Sequence, residues 1–153
     1  MKKVVAVLLA LGILLAGGGV LQAANLSVSA DVQSALTLIL SPTGLSFTGV
    51  QQGVASTAQT LTATTTGSGS YQLQLTGASF NGPQTVSASA LEFKEASAGT
   101  YTAAATTAKN MLAANGTAVA GGDAKTFDIR VNFPASTQNG TYTSSVVITA
   151  VPQ

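Results

Sequence analysis

After residue 24, apolar and polar residues alternate one by one over several separate runs, most clearly at 26–32, 71–76 and 127–133. Successive side chains of a β-strand point to opposite faces, so each run reads as a strand with one buried face. The runs recur roughly every ten residues, with Gly, Asn, Pro or Ser between them, and this spacing is typical of a sandwich or barrel. The sequence therefore predicts one all-β, antiparallel domain.

The alternation also predicts where the strands and turns lie. The first run, 26–32, continues on the even positions Leu36, Leu38 and Leu40, and a turn at 41–44 leads to an element that starts with Leu45 and Phe47. Further strands are predicted at 60–64, at 71–76 with Tyr71, Leu73 and Leu75 facing away from Gln72, Gln74 and Thr76, at 127–133, and at the end with Tyr142, Val146, Ile148 and Ala150 inward. For the Ala- and Thr-rich segment 98–120, the surrounding β pattern favours a long hairpin or loop over a short helix.

The amino terminus has the pattern of a secretory signal peptide. Lys2 and Lys3 precede an apolar run over 4–15, and small residues follow up to Ala23 and Ala24. We expect cleavage after Ala23 or Ala24, a signal peptide at 1–24, a secreted domain at 25–153, and membrane contact only during export. The alternative is an uncleaved anchor, since the apolar stretch is nearly long enough to span a bilayer.

The composition excludes several kinds of chemistry. The chain has no His and no Cys, so it cannot form a His-based catalytic centre, a thiol nucleophile, a zinc site or a disulfide. Without the signal peptide, the chain has four basic and five acidic residues. This is too little positive charge to bind nucleic acid. Glu92 and Glu95 would face opposite sides of a strand and could not act as a carboxylate pair. We therefore expect no enzyme activity, no catalytic residue, no cofactor and no metal.

Two weaker motifs remain. Gly121-Gly122-Asp123 could offer calcium one carboxylate, but an ordinary hairpin turn explains it better. Asn25, Asn115 and Asn139 each begin an Asn-X-Ser/Thr sequence and are candidate glycosylation sites.

Several motifs together resemble a known group of exported proteins. They are Leu45-Ser46-Phe47, Gly53, the strand 59–63, Gly67 and Tyr71-Gln72-Leu73-Gln74-Leu75, followed near the end by Phe133-Pro134, Asn139-Gly140-Thr141-Tyr142 and the strand 146–150. This arrangement resembles the immunoglobulin-like surface-fibre subunits of TasA/camelysin-type biofilm proteins and archaeal bundling pili. The resemblance implies a single immunoglobulin-like or jelly-roll-like antiparallel β-sandwich that polymerises with copies of itself by donating a strand.

The segment 25–40 is the predicted donor strand, with Leu26, Val28, Ala30 and Val32 as its inserted side chains. The predicted acceptor groove is lined by Phe127, Ile129, Val131, Val146 and Ile148. The same strand could instead close its own domain. A second functional class, a small secreted module that binds polysaccharide or ice, stays open. For sugar binding, the chain offers few aromatic faces, because Tyr71 and Tyr142 fall on the apolar sides of their strands. For ice binding, Thr60, Thr62, Thr64 and Thr66 form a single row of hydroxyl groups.

Overall fold

The computed structural model describes residues 35–153, which form nine strands and one short 3₁₀ helix. The strands are β1 (Thr37–Ser41), β2 (Gln59–Thr66), β3 (Gly69–Gly77), β4 (Leu91–Glu95), β5 (Thr102–Ala103), β6 (Lys109–Asn110), β7 (Gly116–Ala118), β8 (Asp123–Val131) and β9 (Val146–Pro152), and the 3₁₀ helix is Ala88–Ala90. The predicted signal peptide at 1–24 and the first part of the predicted donor strand lie outside the described residues. Within 35–153, no helix has the length and apolar character needed to cross a bilayer.

The strands form two antiparallel sheets that pack into a sandwich, so the predicted fold class is confirmed. The first sheet has the order β1-β2-β8-β4-β5. The second sheet centres on β3, which pairs with β9 along one edge and with β6 and β7 along the other. This assignment follows because Tyr71 pairs with both Gly116 and Pro152, and a strand residue has one partner on each side.

The core lies between β2 and β8 of the first sheet and β3 of the second. The largest fully buried side chains are those of Tyr71, Phe93, Phe127, Leu73, Leu75 and Thr65. Of these, Tyr71, Leu73, Leu75 and Phe127 sit on predicted inward positions, whereas Phe93 and Thr65 lie outside the predicted runs. The period-two alternation therefore located the faces of β2, β3 and β8 correctly, and apolar burial on the inner faces is the main force that holds the sheets together.

The segment 102–118, which we call the crossing segment, closes one side of the sandwich. It leaves the first sheet at β5, which pairs with β4, and enters the second sheet at β6 and β7. Ala104, Met111 and Leu112 are buried along this crossing. The preference for a loop or hairpin over a helix in this region is confirmed.

Three sequence predictions about local structure are wrong. Tyr142 does not belong to the closing strand, because β9 begins only at Val146. Leu45 and Phe47 do not begin a strand, because 42–58 is an irregular loop that lays these two side chains against the core. Gln72 was expected to face away from the buried side, but it is only 6% exposed. Its amide group exchanges two hydrogen bonds with the backbone of Leu112, which crosses over the outside of β3.

The crossing segment yields a test of the packing. A Cβ at Gly116 would lie 2.4 Å from the ring of Tyr71, which is fully buried. We expect Gly116→Ala to lower the free energy of unfolding by about 1–3 kcal/mol, the usual cost of overpacking. Gly99→Ala is the matched control, since nothing lies within 4 Å of its added methyl group. Equal denaturant midpoints for the two variants would contradict this packing.

Candidate functional site

Two edge strands lie beside each other on the side of the sandwich that the crossing segment does not cover. Among the described residues, β1 pairs only with β2, and β9 pairs only with β3. The two strands approach each other across the sheets. Each therefore presents a row of backbone N–H and C=O groups on its outer edge, to which another strand could bind.

The core is less well covered along this side. Leu61, Leu75 and Ile129, on the inner strands, are at most 6% exposed. By contrast, the inward side chains of the edge strands are only partly buried, and they include Leu38 and Leu40 on β1 and Ile148 and Ala150 on β9. Val146, at the start of β9, is 39% exposed. We call this partly open side, between β1 and β9, the seam.

A cleft of about 770 Å³, with apolar residues at its floor and many polar residues in its walls, opens at the end of the seam where β1 ends and β9 begins. Its entrance is formed by Leu40, Val146 and Ile148, and its floor by core residues that include Leu61, Leu75, Leu91, Ile129 and Val131. Its two walls are the loops 42–50 and 137–144. The cleft thus leads from the surface between two free strand edges directly into the hydrophobic core.

Contacts of the two walls and of the residues that flank them hold the walls in place. The backbone N–H of Gly53 donates to the carbonyl of Phe133 at 2.7 Å, and the side-chain amide of Gln52 donates to Oδ1 of Asn139 at 2.9 Å. Phe133 packs against Phe80 with 5.1 Å between ring centroids and against Tyr142 with 5.2 Å. Both loops are therefore tied to each other and to the core, and the cleft has a defined shape.

The structure brings together most of the predicted acceptor groove. Ile129, Val131, Val146 and Ile148 all line the cleft. Phe127 does not, because it lies further along β8 in the closed part of the core, where it is fully buried. The walls and the residue Thr137 were missed by the sequence reasoning, since irregular loops carry no periodic signal.

The predicted donor strand is divided by the limit of the described residues. Leu26, Val28, Ala30 and Val32 lie outside them. The remainder of 25–40 includes most of β1, which pairs with β2 of its own sheet from Thr37 onward. That remainder therefore belongs to its own domain in the structure.

The charged side chains on the outer face of the first sheet neutralise one another. Lys94 lies 3.3 Å from Asp128, and Nε of Arg130 lies 2.6 Å from the carboxylate of Glu92. The Tyr101 ring covers Arg130, with 3.7 Å from its centroid to the guanidinium carbon. The carboxylate of Glu92 is therefore ion-paired with Arg130 and is not paired with a second carboxyl group.

The rest of that outer face carries hydroxyl groups. Thr60, Thr62, Thr64 and Thr66 point outward from β2, as the alternation predicted. Thr62 pairs with Ser41 on one side and with Thr126 on the other. This part of the outer face is therefore uncharged, and it lies beside the part that carries the ion pairs.

The Gly121-Gly122-Asp123 turn joins β7 to β8, and its carboxylate already has partners. Asp123 accepts a hydrogen bond of 2.9 Å from the Tyr71 hydroxyl and lies 3.3 Å from the Lys125 ammonium. Residues 35–153 contain no cluster of three acidic side chains that could bind a metal ion. The structure thus gives this turn a role in linking the two sheets.

The candidate glycosylation sites have different surroundings. Asn115 is exposed within the segment 102–118, and its side-chain oxygen lies 3.4 Å from the Gln72 amide nitrogen. Asn139 is exposed at the rim of the cleft. Asn25 lies outside the described residues.

No family model, no curated protein and no solved structure matches this chain. The function must therefore be argued from the fold, the seam and the cleft.

Tyr71 yields a test at high pH. Burial, together with the hydrogen bond to Asp123, raises the pKa of Tyr71 above its usual 10.0. Above pH 10 the unfolded chain therefore releases a proton that the folded chain keeps, so the free energy of unfolding should fall as the pH rises through that range. In Tyr71→Phe this fall should be smaller, as measured by urea unfolding between pH 8 and about 11. Tyr101→Phe, which alters a half-exposed ring, is the control, and an unchanged alkaline fall in Tyr71→Phe would refute the assignment.

Proposed function

We propose that the protein is a secreted structural subunit of an extracellular filament, pilus or matrix, in which the N-terminal strand of one copy fills the seam of the next. The observation that carries this proposal is the cleft, which exposes core residues between two free strand edges. Strand addition at such an edge combines backbone hydrogen bonds with pockets for alternate side chains. Copies of the same chain are the proposed partners.

The segment 25–32 has the length and pattern for this role. Leu26, Val28, Ala30 and Val32 alternate with polar residues. Eight residues in extended conformation span about 26 Å, which is enough to run beside the seven residues of β9. Its apolar side chains would then reach the partly buried residues of the seam.

Burial along the seam would favour assembly. Each inserted apolar side chain contributes on the order of 1 kcal/mol or more. Insertion would also cover Val146, which is 39% exposed, and Leu40. These gains must exceed the cost of ordering the donated segment, so several side chains acting together are needed.

The described surface offers little resistance to close packing of copies. Six charged side chains form three ion pairs within the subunit, Lys94–Asp128, Lys125–Asp123 and Arg130–Glu92. Contacts between copies would therefore meet little like-charge repulsion and would not have to bury lone ions. This supports a polymer as the native form.

The same segment could also close its own seam. A turn at 33–35 would bring Val32 beside Leu36 and place 26–32 along β1. Closure within one chain does not depend on protein concentration, whereas donation to a neighbour does. Assembly experiments therefore separate the two arrangements.

Deletion of 25–32 tests donation directly. The truncated protein keeps every residue of the described sandwich, so it should fold and give a single monomer peak in size-exclusion chromatography. Wild-type protein at the same concentration should form filaments visible by negative-stain microscopy. A synthetic peptide of residues 25–32 should bind the truncated protein. A control peptide with Val28→Asp should bind at least tenfold more weakly, because its charge would be buried against the apolar inward residues of the seam.

Filaments from the truncated protein, or no binding of the wild-type peptide, would refute donation by this segment. A wild-type protein that remains monomeric would contradict the structural role. Thermal hysteresis or a glycan-array signal from that monomer would instead favour the alternative of a secreted binding module, acting through the hydroxyl-bearing face of the first sheet.

A further inference from the structure

The described chain begins at the end of the sandwich that lies opposite the cleft. Thr37, the first residue of β1, pairs with Thr66 at the end of β2. Just before it, the carbonyl oxygen of Ala35 lies so close to Gly67 that a Cβ on this glycine would collide with it. Gly67 belongs to the turn between β2 and β3. The segment 25–34 is therefore attached at this turn, and we call this end of the sandwich the exit end.

The two edge strands run in opposite directions between the exit end and the cleft. β1 runs from the exit end to Ser41, beside the cleft. β9 runs from Val146 at the cleft to Pro152, which pairs with Tyr71 at the exit end. The seven residues of β9 span about 23 Å. The attachment of the segment 25–34 and the cleft are therefore separated by the length of the seam.

A strand that enters the seam from the exit end cannot build a filament. The segment does so if it turns back at 33–35 along its own β1, or if two copies exchange segments with their exit ends facing each other. In both cases residue 25 lies near the cleft, and the segment runs antiparallel to β1. The first arrangement is a closed monomer and the second a closed two-fold dimer, so neither has a site for a further copy.

A strand that enters through the cleft has the opposite direction. Residue 32, which is attached to the neighbouring copy, then lies at the cleft, and residue 25 points towards the exit end. This strand runs antiparallel to β9 and parallel to β1. Antiparallel pairing is slightly more stable per residue, and β9 has seven residues where β1 has five. Each copy donates at one end and accepts at the other, so the chain of copies stays open.

The hydrogen bonds of β9 show which of its backbone groups face its outer edge. The N–H of Gln153 donates to the carbonyl of Ser70 at 3.0 Å, and the N–H of Ala78 donates to the carbonyl of Ser145 at 3.1 Å. Hydrogen-bonded residues alternate along an antiparallel pair, so the odd-numbered residues of β9 bond to β3. The even-numbered residues therefore direct their N–H and C=O groups away from β3.

These even-numbered residues also carry the apolar side chains of the seam. Val146 and Ile148 line the cleft, and Ala150 packs against the core. The fourth one, Pro152, has no N–H and cannot continue a ladder. An added strand is thus offered three complete pairing positions, at Val146, Ile148 and Ala150.

We infer that the segment 25–32 of one copy enters the next copy through the cleft and pairs antiparallel with the outer edge of β9. Three facing pairs define its register, namely Leu26 with Ala150, Val28 with Ile148 and Ala30 with Val146. This inference rests on the proposed function and specifies the edge, the direction and the register of the inserted strand. Every subunit accepts at its cleft and donates from its exit end, so the filament is polar.

Fusion of the segment to the C-terminus tests the direction, because β9 ends at the exit end. The fusion protein lacks 25–32 at its N-terminus and carries these residues after Gln153, joined by the linker Asn-Gly-Thr-Ser. Asn-Gly forms a two-residue hairpin turn, which returns the segment antiparallel to β9 with Leu26 opposite Ala150. A parallel return would need a connection of a dozen or more residues.

We expect the fusion protein to be a monomer with a higher urea midpoint than the unfused protein that lacks 25–32. It should bind the free 25–32 peptide at least tenfold more weakly, because its own segment fills the site. The same fusion with Val28→Asp is the matched control, and it should bind the peptide like the unfused protein.

The outcomes separate the inference from the proposed function. If the fusion protein binds the peptide as tightly as the unfused protein, the direction is wrong, although donation stands. Equal blocking by the Val28→Asp fusion would also overturn the inference, because the extension would then act without pairing in the seam. If the unfused protein binds no peptide, strand donation fails and the inference fails with it.

Cysteine pairs in the assembled filament test the same direction. Ala30→Cys on one chain should form a disulfide with Val146→Cys on another, since facing residues have Cα atoms about 5 Å apart. Leu26→Cys should form none with Val146→Cys, because the four residues between positions 26 and 30 place it about 13 Å further along. A disulfide from Leu26→Cys and none from Ala30→Cys would show the reverse direction and overturn the inference.

Discussion

The fold and the proposed function both depend on one hydrophobic core between two sheets, which residues 35–153 cover on only one of its long sides. On the covered side, the segment 102–118 passes from one sheet to the other and buries Met111 and Leu112. On the other side, β1 and β9 have no further strand partner among the described residues, and their inward residues are partly exposed. An added strand would complete both the hydrogen bonding and the apolar burial there.

The small number of charged residues and the open side of the sandwich both favour the proposed assembly. The ion pairs within the subunit leave a surface on which neighbouring copies repel each other little, while the hydroxyl groups around Thr62 and Thr64 remain compatible with water or with another hydroxylated surface. The proposed structural role would need neither a cofactor nor a catalytic group, because assembly by strand addition would depend on shape, backbone edges and apolar burial.

The alternation of side chains predicted the inner strands well because burial on one face is what imposes that alternation. Tyr71, Leu73 and Phe127 are buried as expected. The same reasoning was wrong at Leu45 and Phe47, where two apolar residues with alternate spacing anchor a loop, and at Gln72, whose outward side is covered by a distant segment. The cleft walls could not be predicted, since the loops 42–58 and 137–144 meet only through tertiary contacts such as Gln52–Asn139.

The central claim is that a strand crosses from one chain to another, and a mixed disulfide measures this most directly, because the chain has no cysteine of its own. One mature chain would carry Val28→Cys and a second, size-tagged chain would carry Ile148→Cys. After co-assembly and mild oxidation, the account predicts a covalent product of one chain of each kind, with the two introduced thiols joined in mass spectrometry. Replacing the second variant by Phe127→Cys, which lies in the closed part of the core, should abolish that product. Co-assembled filaments without the mixed disulfide, or a disulfide only within single chains that carry both Val28→Cys and Ile148→Cys, would contradict the account.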